Sequence, residues 1–441
     1  MGYDIEQIKD LAKNAIKVAM DADEVEVFAM AGRSISVETH KTSINLAKES
    51  KYHGMGIRAV VNGAVGFAST NDLNRITDAV KMAISSARLR GGDSDWKSLP
   101  KKQSYPNVSA IFDSKIEALD LNAAIDCALL VLDGAQSVDG TIPMSGSFGC
   151  SSSTTYILNS NDVEVEESAT SVSAHFEALA KDSAVSSASE FDVSRHFDLD
   201  LSAIGEKAAI LAKKSLNGTN IETMQTTVLL RPNAISDLLN AAFLPSVDAE
   251  SVQKGRSVLA KRIGEKVIGE NISFIDDGLL AGGIGTSISD DEGTPSQRTE
   301  LITDGILNTY LYDSYAAGKD NVESTGNGVR NSYGSTPSVG ITNMVFKTDS
   351  YDIIGDTAHG VIIDTIIGAH TANSLTGDFS VECRNAFLVE NGEITKPIQS
   401  LMISANIFDV LNNITGMGTD VRSIGGIVVP TVRFEKMQIV G

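Results

Sequence analysis

The sequence predicts an α+β fold, with two helix-and-strand subdomains followed by a β-rich, barrel-like C-terminal domain. Three observations predict it. Apolar residues recur at helical spacing on both sides of alternating strand patterns within residues 4–90. The layout of helix, strands and helix returns before Asn217. From there on, short β-rich runs are punctuated by Gly, Asn and Asp, the spacing of a barrel or strongly curved sheet. A chain of 441 residues exceeds one ordinary core. Its divisions fall at 1–106, 107–220 and 221–441.

In order along the chain, Ile5, Ile8, Leu11, Ala12, Ala15, Ile16 and Ala19 mark a first helix, with Asp4 and Gln7 as a capping box. Strand alternation follows at Val25–Ala29, Ile35–Val37 and Ile44–Leu46. Asn62-Gly63 supplies the positive-φ pair of a type I′ hairpin turn. A second helix opens at Asn71-Asp72 and carries Leu73, Ile76, Val80, Ala83 and Ala87. Arg90–Pro106 reads as a polar linker. Ile116–Leu132 is helical, Thr154–Leu158 and Val163–Phe176 are strands, and Leu201–Leu216 is a helix ended by Asn217-Gly218. The third region starts with a strand at Thr227–Leu230 and a helix at Asn233–Ala242.

Composition narrows the function. Apolar residues at 42% and charged residues at 21% describe a soluble globular chain. A net charge of −21 and no Lys/Arg stripe argue against a nucleic-acid surface, since phosphate binding needs clustered cations. Cys127, Cys150 and Cys383 are far apart, which gives neither a disulfide framework nor a CxxC metal site. The N-terminus lacks the basic-then-apolar pattern of a signal peptide, and no apolar run reaches the ~18–20 residues of a membrane span. A cytoplasmic location is the expectation.

Familiar catalytic devices are missing. There is no Walker A string and no GxSxG elbow. Gly54-Met55-Gly56 imitates the start of a dinucleotide fingerprint, but a strand follows it, so a hairpin is expected. None of the six histidines pairs with another at helical ligand spacing. Asp276-Asp277 and Asp290-Asp291-Glu292 could hold a divalent cation; followed by Gly, they read better as turns in which Asp bonds backbone N–H groups. Ser324–Gly328 fits either an anion-binding nest or a strained loop.

Four strings in the last third carry a family resemblance: DDEGTPSQR (Asp290–Arg298), ESTGNG (Glu323–Gly328), TGDFS (Thr376–Ser380) and LVENGEITKP (Leu388–Pro397). They resemble the TldD/PmbA family, once described as modulators of DNA gyrase and better understood as peptidases, and within it the PmbA (TldE) branch. In the TldD branch the resemblance implies HExxxH on a helix of the third region, with a cysteine near the C-terminus as a further zinc ligand. Here that register places Asn240 and Pro245 at the histidine positions and Ala241 at the glutamate. No His lies between His196 and His359, and no Cys follows Cys383.

The resemblance therefore implies no catalytic residue, metal ligand or cofactor in this chain. It implies a TldD-type metalloprotease partner that holds zinc, and a dimeric chamber that admits unfolded peptide. Asp291, Glu292, Arg298, Asn327 and Arg330 are the candidates for the peptide-facing wall. One rival is a self-sufficient metallopeptidase or hydrolase assembled from scattered residues such as His359, His370 and Asp290–Glu292. Another is a peptide-binding homodimeric scaffold. Metal content and activity of the isolated chain separate the first from the other two.

Overall fold

A computed structural model describes residues 5–347 and 349–441. Asp4, the expected cap of the first helix, lies outside the described residues. The first unit runs α1 (Ile5–Val18), β1 (Glu24–His40), β2 (Ser43–Val61), β3 (Ala64–Thr70) and α2 (Ile76–Leu89). The second runs α3 (Ser114–Ala118), α4 (Leu121–Gln136), β4 (Thr141–Asn159), β5 (Glu164–Lys181), β6 (Val185–Ser194) and α5 (Leu201–Lys214). The expected echo is thus present: each unit is a three-strand meander bracketed by helices. The single helix read over Ile116–Leu132 is two, because Asp120 caps α4 by accepting from the Ala123 N–H at 2.8 Å.

The six strands form one antiparallel sheet in the order β3-β2-β1-β4-β5-β6, joined along β1 and β4. Strand segments that the sequence separates, Val25–Ala29 and Ile35–Val37, are one strand. Gly32 between them keeps the ladder and makes room for the Tyr52 ring. Odd-numbered β1 residues (Val25, Val27, Ala29, Ile35, Val37) face the helices, with α1 and α2 covering one half and α4 and α5 the other. The opposite face, with Glu26, Phe28, Gly54, Gly56 and Arg58, turns toward the C-terminal domain.

That domain begins with β7 (Met224–Leu230) and α6 (Pro232–Leu238), a π turn (Leu239–Phe243), α7 (Leu244–Val247) and α8 (Ala249–Gln253). Then come β8 (Ser273–Asp277), β9 (Arg298–Thr303), β10 (Ile306–Leu307), α9 (Ser314–Asp320), β11 (Gly328–Val329), β12 (Ser338–Val339) and β13 (Met344–Lys347). The remainder is β14 (His359–Ile367), β15 (Asp378–Glu390), β16 (Glu393–Pro397), β17 (Leu401–Asn406), α10 (Ile407–Asn412), β18 (Ile414–Met417), β19 (Arg422–Ile424), β20 (Ile427–Val429) and β21 (Val432–Val440).

Strands β14-β7-β21-β17-β15 pair in sequence and β15 returns to β14, which closes a five-stranded barrel. Its neighbour is a sheet in the order β10-β9-β8-β13-β20-β19. Between them lies the largest core, in which Phe274 stacks on Phe243 and Phe346 at centroid distances of 4.6 and 4.4 Å. The α+β class and the barrel-like C-terminal domain match the sequence reading. Among the described residues, no helix is long and apolar enough to cross a membrane.

Candidate functional site

The densest chemistry lies where the helix-free sheet face meets the C-terminal domain. Glu26 and Arg58 are direct cross-strand partners. Arg58 donates from Nη2 to Glu26 Oε2 at 2.5 Å and from Nη1 to Glu292 Oε1 at 2.7 Å. Arg330 donates from Nη2 to the other Glu26 oxygen. Glu292 Oε2 accepts the Ser314 N–H at 2.7 Å. All four ionic side chains are buried. The alternation Glu292–Arg58–Glu26–Arg330 gives each buried charge an opposite neighbour, the condition for keeping ions in an interior. Burial pushes the Glu292 carboxyl up, but the Arg58 guanidinium and the Ser314 N–H more than offset it and hold it below its ordinary range.

The adjoining acidic string is a turn, as its Asp-Glu-Gly pattern predicts. Asp290 Oδ1 accepts the N–H groups of Glu292 and Thr294 at 3.0 and 2.8 Å, and Gly293 sits at φ +85°. Asp290 Oδ2 accepts the Gly328 N–H at 3.0 Å. Burial raises three carboxyls at this turn and beside it. Burial, then the neighbouring Glu292, push Asp290 well above its ordinary range. Burial raises Asp291 to about 6, although the Arg330 N–H donates to it at 2.7 Å. Burial and Glu292 raise Asp313 to about 7.

The Ser324–Gly328 loop is not an open nest. The N–H groups of Thr325 and Asn327 point at the Tyr312 carbonyl, that of Gly326 at Ser324 Oγ, and that of Gly328 at Asp290. Asn327 is fully buried and donates to Asp276 Oδ2 at 2.6 Å and to the Gly340 carbonyl at 2.8 Å. Of the five wall candidates, the fold brings Asp291, Glu292 and Arg330 into one cluster, with Asn327 beside it. Arg298 stands apart, exposed at the start of β9, 3.9 Å from Asp277. Glu292, Asn327 and Arg330 face protein in this chain. Asp291 borders a cavity of about 290 Å³ between β4–β5 and the C-terminal loops, together with Thr155, Glu167, Gly328 and Thr342.

Glu26 and Arg58 escaped the sequence reading. Each alternates with apolar neighbours (Val25 and Val27; Ile57 and Ala59), a pattern that assigns the charge to solvent. The C-terminal domain covers that face instead. A charged pair flanked by fully apolar strand residues was the one available signal.

The helix that would hold a metal motif is α6, its π turn and α7. Pro245 has no N–H to offer the Ala241 carbonyl. Just before it, the Leu244 N–H reaches back five residues to the Leu239 carbonyl, which makes the π turn. Asn240 is exposed, and Ala241 and Pro245 are half-buried. One amide, a methyl and a pyrrolidine ring do not fit a zinc ion, which takes imidazole, thiolate or carboxylate donors. Among the described residues, no group of three His, Cys, Asp or Glu side chains is arranged to hold a metal. His359 opens β14 and His370 follows its far end, so the strand separates them by roughly 25 Å.

Comparison with known proteins agrees with this architecture. Profiles of the PmbA/TldA metallopeptidase domain 1, central domain and C-terminal domain match residues 25–87, 114–216 and 223–441. An uncharacterized protein of Methanocaldococcus jannaschii is 34% identical, covering 93% of this chain and 95% of its own. The metalloprotease PmbA homolog of Haemophilus influenzae is 24% identical over 99% of this chain and 96% of its own. The crystal structure of TldE from Thermococcus kodakarensis superposes with a TM-score of 0.90 at 25% identity, covering 98% of this chain and all of that one. The chain belongs to the PmbA/TldD metallopeptidase family.

Proposed function

We propose that this chain is a non-catalytic, PmbA/TldE-like subunit. It pairs in the cytoplasm with a TldD-type metalloprotease, whose zinc cleaves unfolded peptide, and it supplies part of the enclosing wall. The observation that carries this reading is the α6–α7 helix: Asn240, Ala241 and Pro245, which the resemblance puts at the metal and base positions, offer no imidazole or carboxylate. In a zinc peptidase the metal polarises the carbonyl and a base takes the proton of the attacking water, and these side chains provide neither a metal ligand set nor a base. The likeness to TldE over the whole chain supports the same branch. Asp291 at the cavity and Arg298 on the surface are the two wall candidates positioned to meet a peptide. The role of Glu292, Asn327 and Arg330 is to hold that wall in place.

The test is cleavage of an unfolded peptide by this chain mixed with a TldD-type protein. His359→Ala combined with His370→Ala should leave partner-dependent cleavage unchanged. Loss of cleavage in that double variant, with folding intact by circular dichroism, would instead favour a hydrolase built from scattered residues.

A further inference from the structure

The cavity between the sheet and the C-terminal domain has a floor set by strand pairing. Three cross-strand pairs of β4 and β5 line it: Ser153 with Ala169, Thr155 with Glu167, and Ile157 with Val165. Residues two apart on a strand share a face, so all of them stand on the helix-free side. The roof comes from C-terminal loops that carry Ile284, Asp291, Val329 and Ile341. Thr155, Glu167, Ser287 and Asp291 are half-buried, and their partial exposure opens the cavity to solvent.

The hydrogen bonding here is one-sided. Asp290 is occupied by three N–H groups. Glu167 takes the Ile288 N–H at 2.7 Å and the Ser287 hydroxyl. Asp291 takes the Arg330 N–H at Oδ2, and among the described residues no donor reaches its Oδ1. The two nearby guanidinium groups are committed elsewhere. Arg195 donates to the carbonyls of Thr170, Gly283 and Ile284, and Arg330 to Glu26 and the carbonyls of Asp291 and Ser335. Three carboxylates thus border one cavity, each met by neutral donors alone.

Such a cavity suits a cation that brings donors and an alkyl stem. An anion would meet like charge. A divalent metal takes six or so oxygen ligands, and the Asp290 oxygens are already occupied. An ammonium offers three donors and no acceptor, and its stem can lie on Ile157, Val165 and Ile341. The volume of about 290 Å³ corresponds to roughly ten waters at ~30 Å³ each, room for a four-carbon stem. Burial raises both Glu167 and Asp291, the latter to about 6, and a cation beside them would hold them ionised.

We propose that this cavity binds a primary alkylammonium, with Asp291 Oδ1 and Glu167 accepting its N–H groups and the three apolar side chains covering its stem. A short free diamine and a lysine side chain both present this chemistry. The site rests on the cavity alone; only the lysine source rests on the subunit reading above.

Calorimetric titration of the full chain near neutral pH tests it with n-butylammonium, its neutral counterpart n-butanol, 1,4-diaminobutane and Nα-acetyl-lysine N-methylamide. n-Butylammonium should bind one per chain, about tenfold or more tighter than n-butanol. Asp291→Asn and Glu167→Gln should each weaken it about tenfold, while Glu300→Gln on the exposed sheet surface leaves it unchanged. Tighter binding of the diamine than of the lysine amide assigns a free diamine, and the reverse order assigns a lysine side chain. Equal binding of n-butylammonium and n-butanol by the parent chain overturns the proposal, whether or not the variants fold. Unchanged affinity in the chain carrying both substitutions, or no binding of any ammonium probe, overturns it too. Each of these failures leaves the subunit reading standing.

Discussion

Arg58 is held by two carboxylates that reach it from different parts of the chain, Glu26 on β1 and Glu292 on the turn before β9. Removing one partner of a buried pair leaves the other charge uncompensated. Arg58→Ala should therefore cost about 3–5 kcal/mol in urea unfolding. Exposed Arg298→Ala, beside Asp277, should cost under about 1 kcal/mol. Equal effects from the two would contradict the burial argument. At this scale the sequence was legible where chemistry is local. The Asp290 turn, the Asn62-Gly63 pair at φ 50° and 75°, and Asn217 at φ 56° ending α5 follow from side chains a few residues apart. The Glu26–Arg58–Glu292 contact spans more than two hundred residues of chain, and no local pattern encodes it.

The elements were legible in kind and less so in extent. Helical and alternating periods located most of the N-terminal helices and strands. The length of β1 was hidden because Gly32 imitates a break. The π turn at Leu239–Phe243 was also hidden, although Pro245 gives its cause. Close packing of α4 on α5 depends on Gly134 and Gly205, where an added Cβ would collide with the backbone carbonyls of Ser202 and Val131. Gly205→Ala should force the helices apart and destabilise the chain by about 1–3 kcal/mol, read as a lower urea midpoint. Gly91→Ala, with open space around the added methyl group, is the control and should change little.

For the whole molecule, two units separated in sequence become one sheet because β1 pairs along its length with β4. The barrel closes because β15 returns to β14. Such pairings are long-range, and the spacing of strands implies a barrel without naming its neighbours. The junction of sheet and C-terminal domain makes stability depend on pH. Asp313 faces Glu292, Arg58 and the Glu250 carboxylate; Asp291 faces Arg330, Glu26 and Glu292. Burial raises both carboxyls, so the folded chain binds their protons more tightly than the unfolded chain does. That stabilisation is complete below the ordinary value of 3.8 and is lost as pH rises through about 6 for Asp291 and about 7 for Asp313. The urea midpoint should fall between pH 5 and pH 8, with Asp313→Asn flattening the upper part of that fall.

Zinc stoichiometry and peptidase activity, measured on the same purified samples, decide whether the chain works without a metal centre of its own. The chain alone should retain no stoichiometric zinc after dialysis and should leave unfolded peptide intact. Mixed with a TldD-type partner, cleavage should appear, with the zinc accounted for by the partner. One zinc per chain with robust cleavage in the isolated protein would contradict the account.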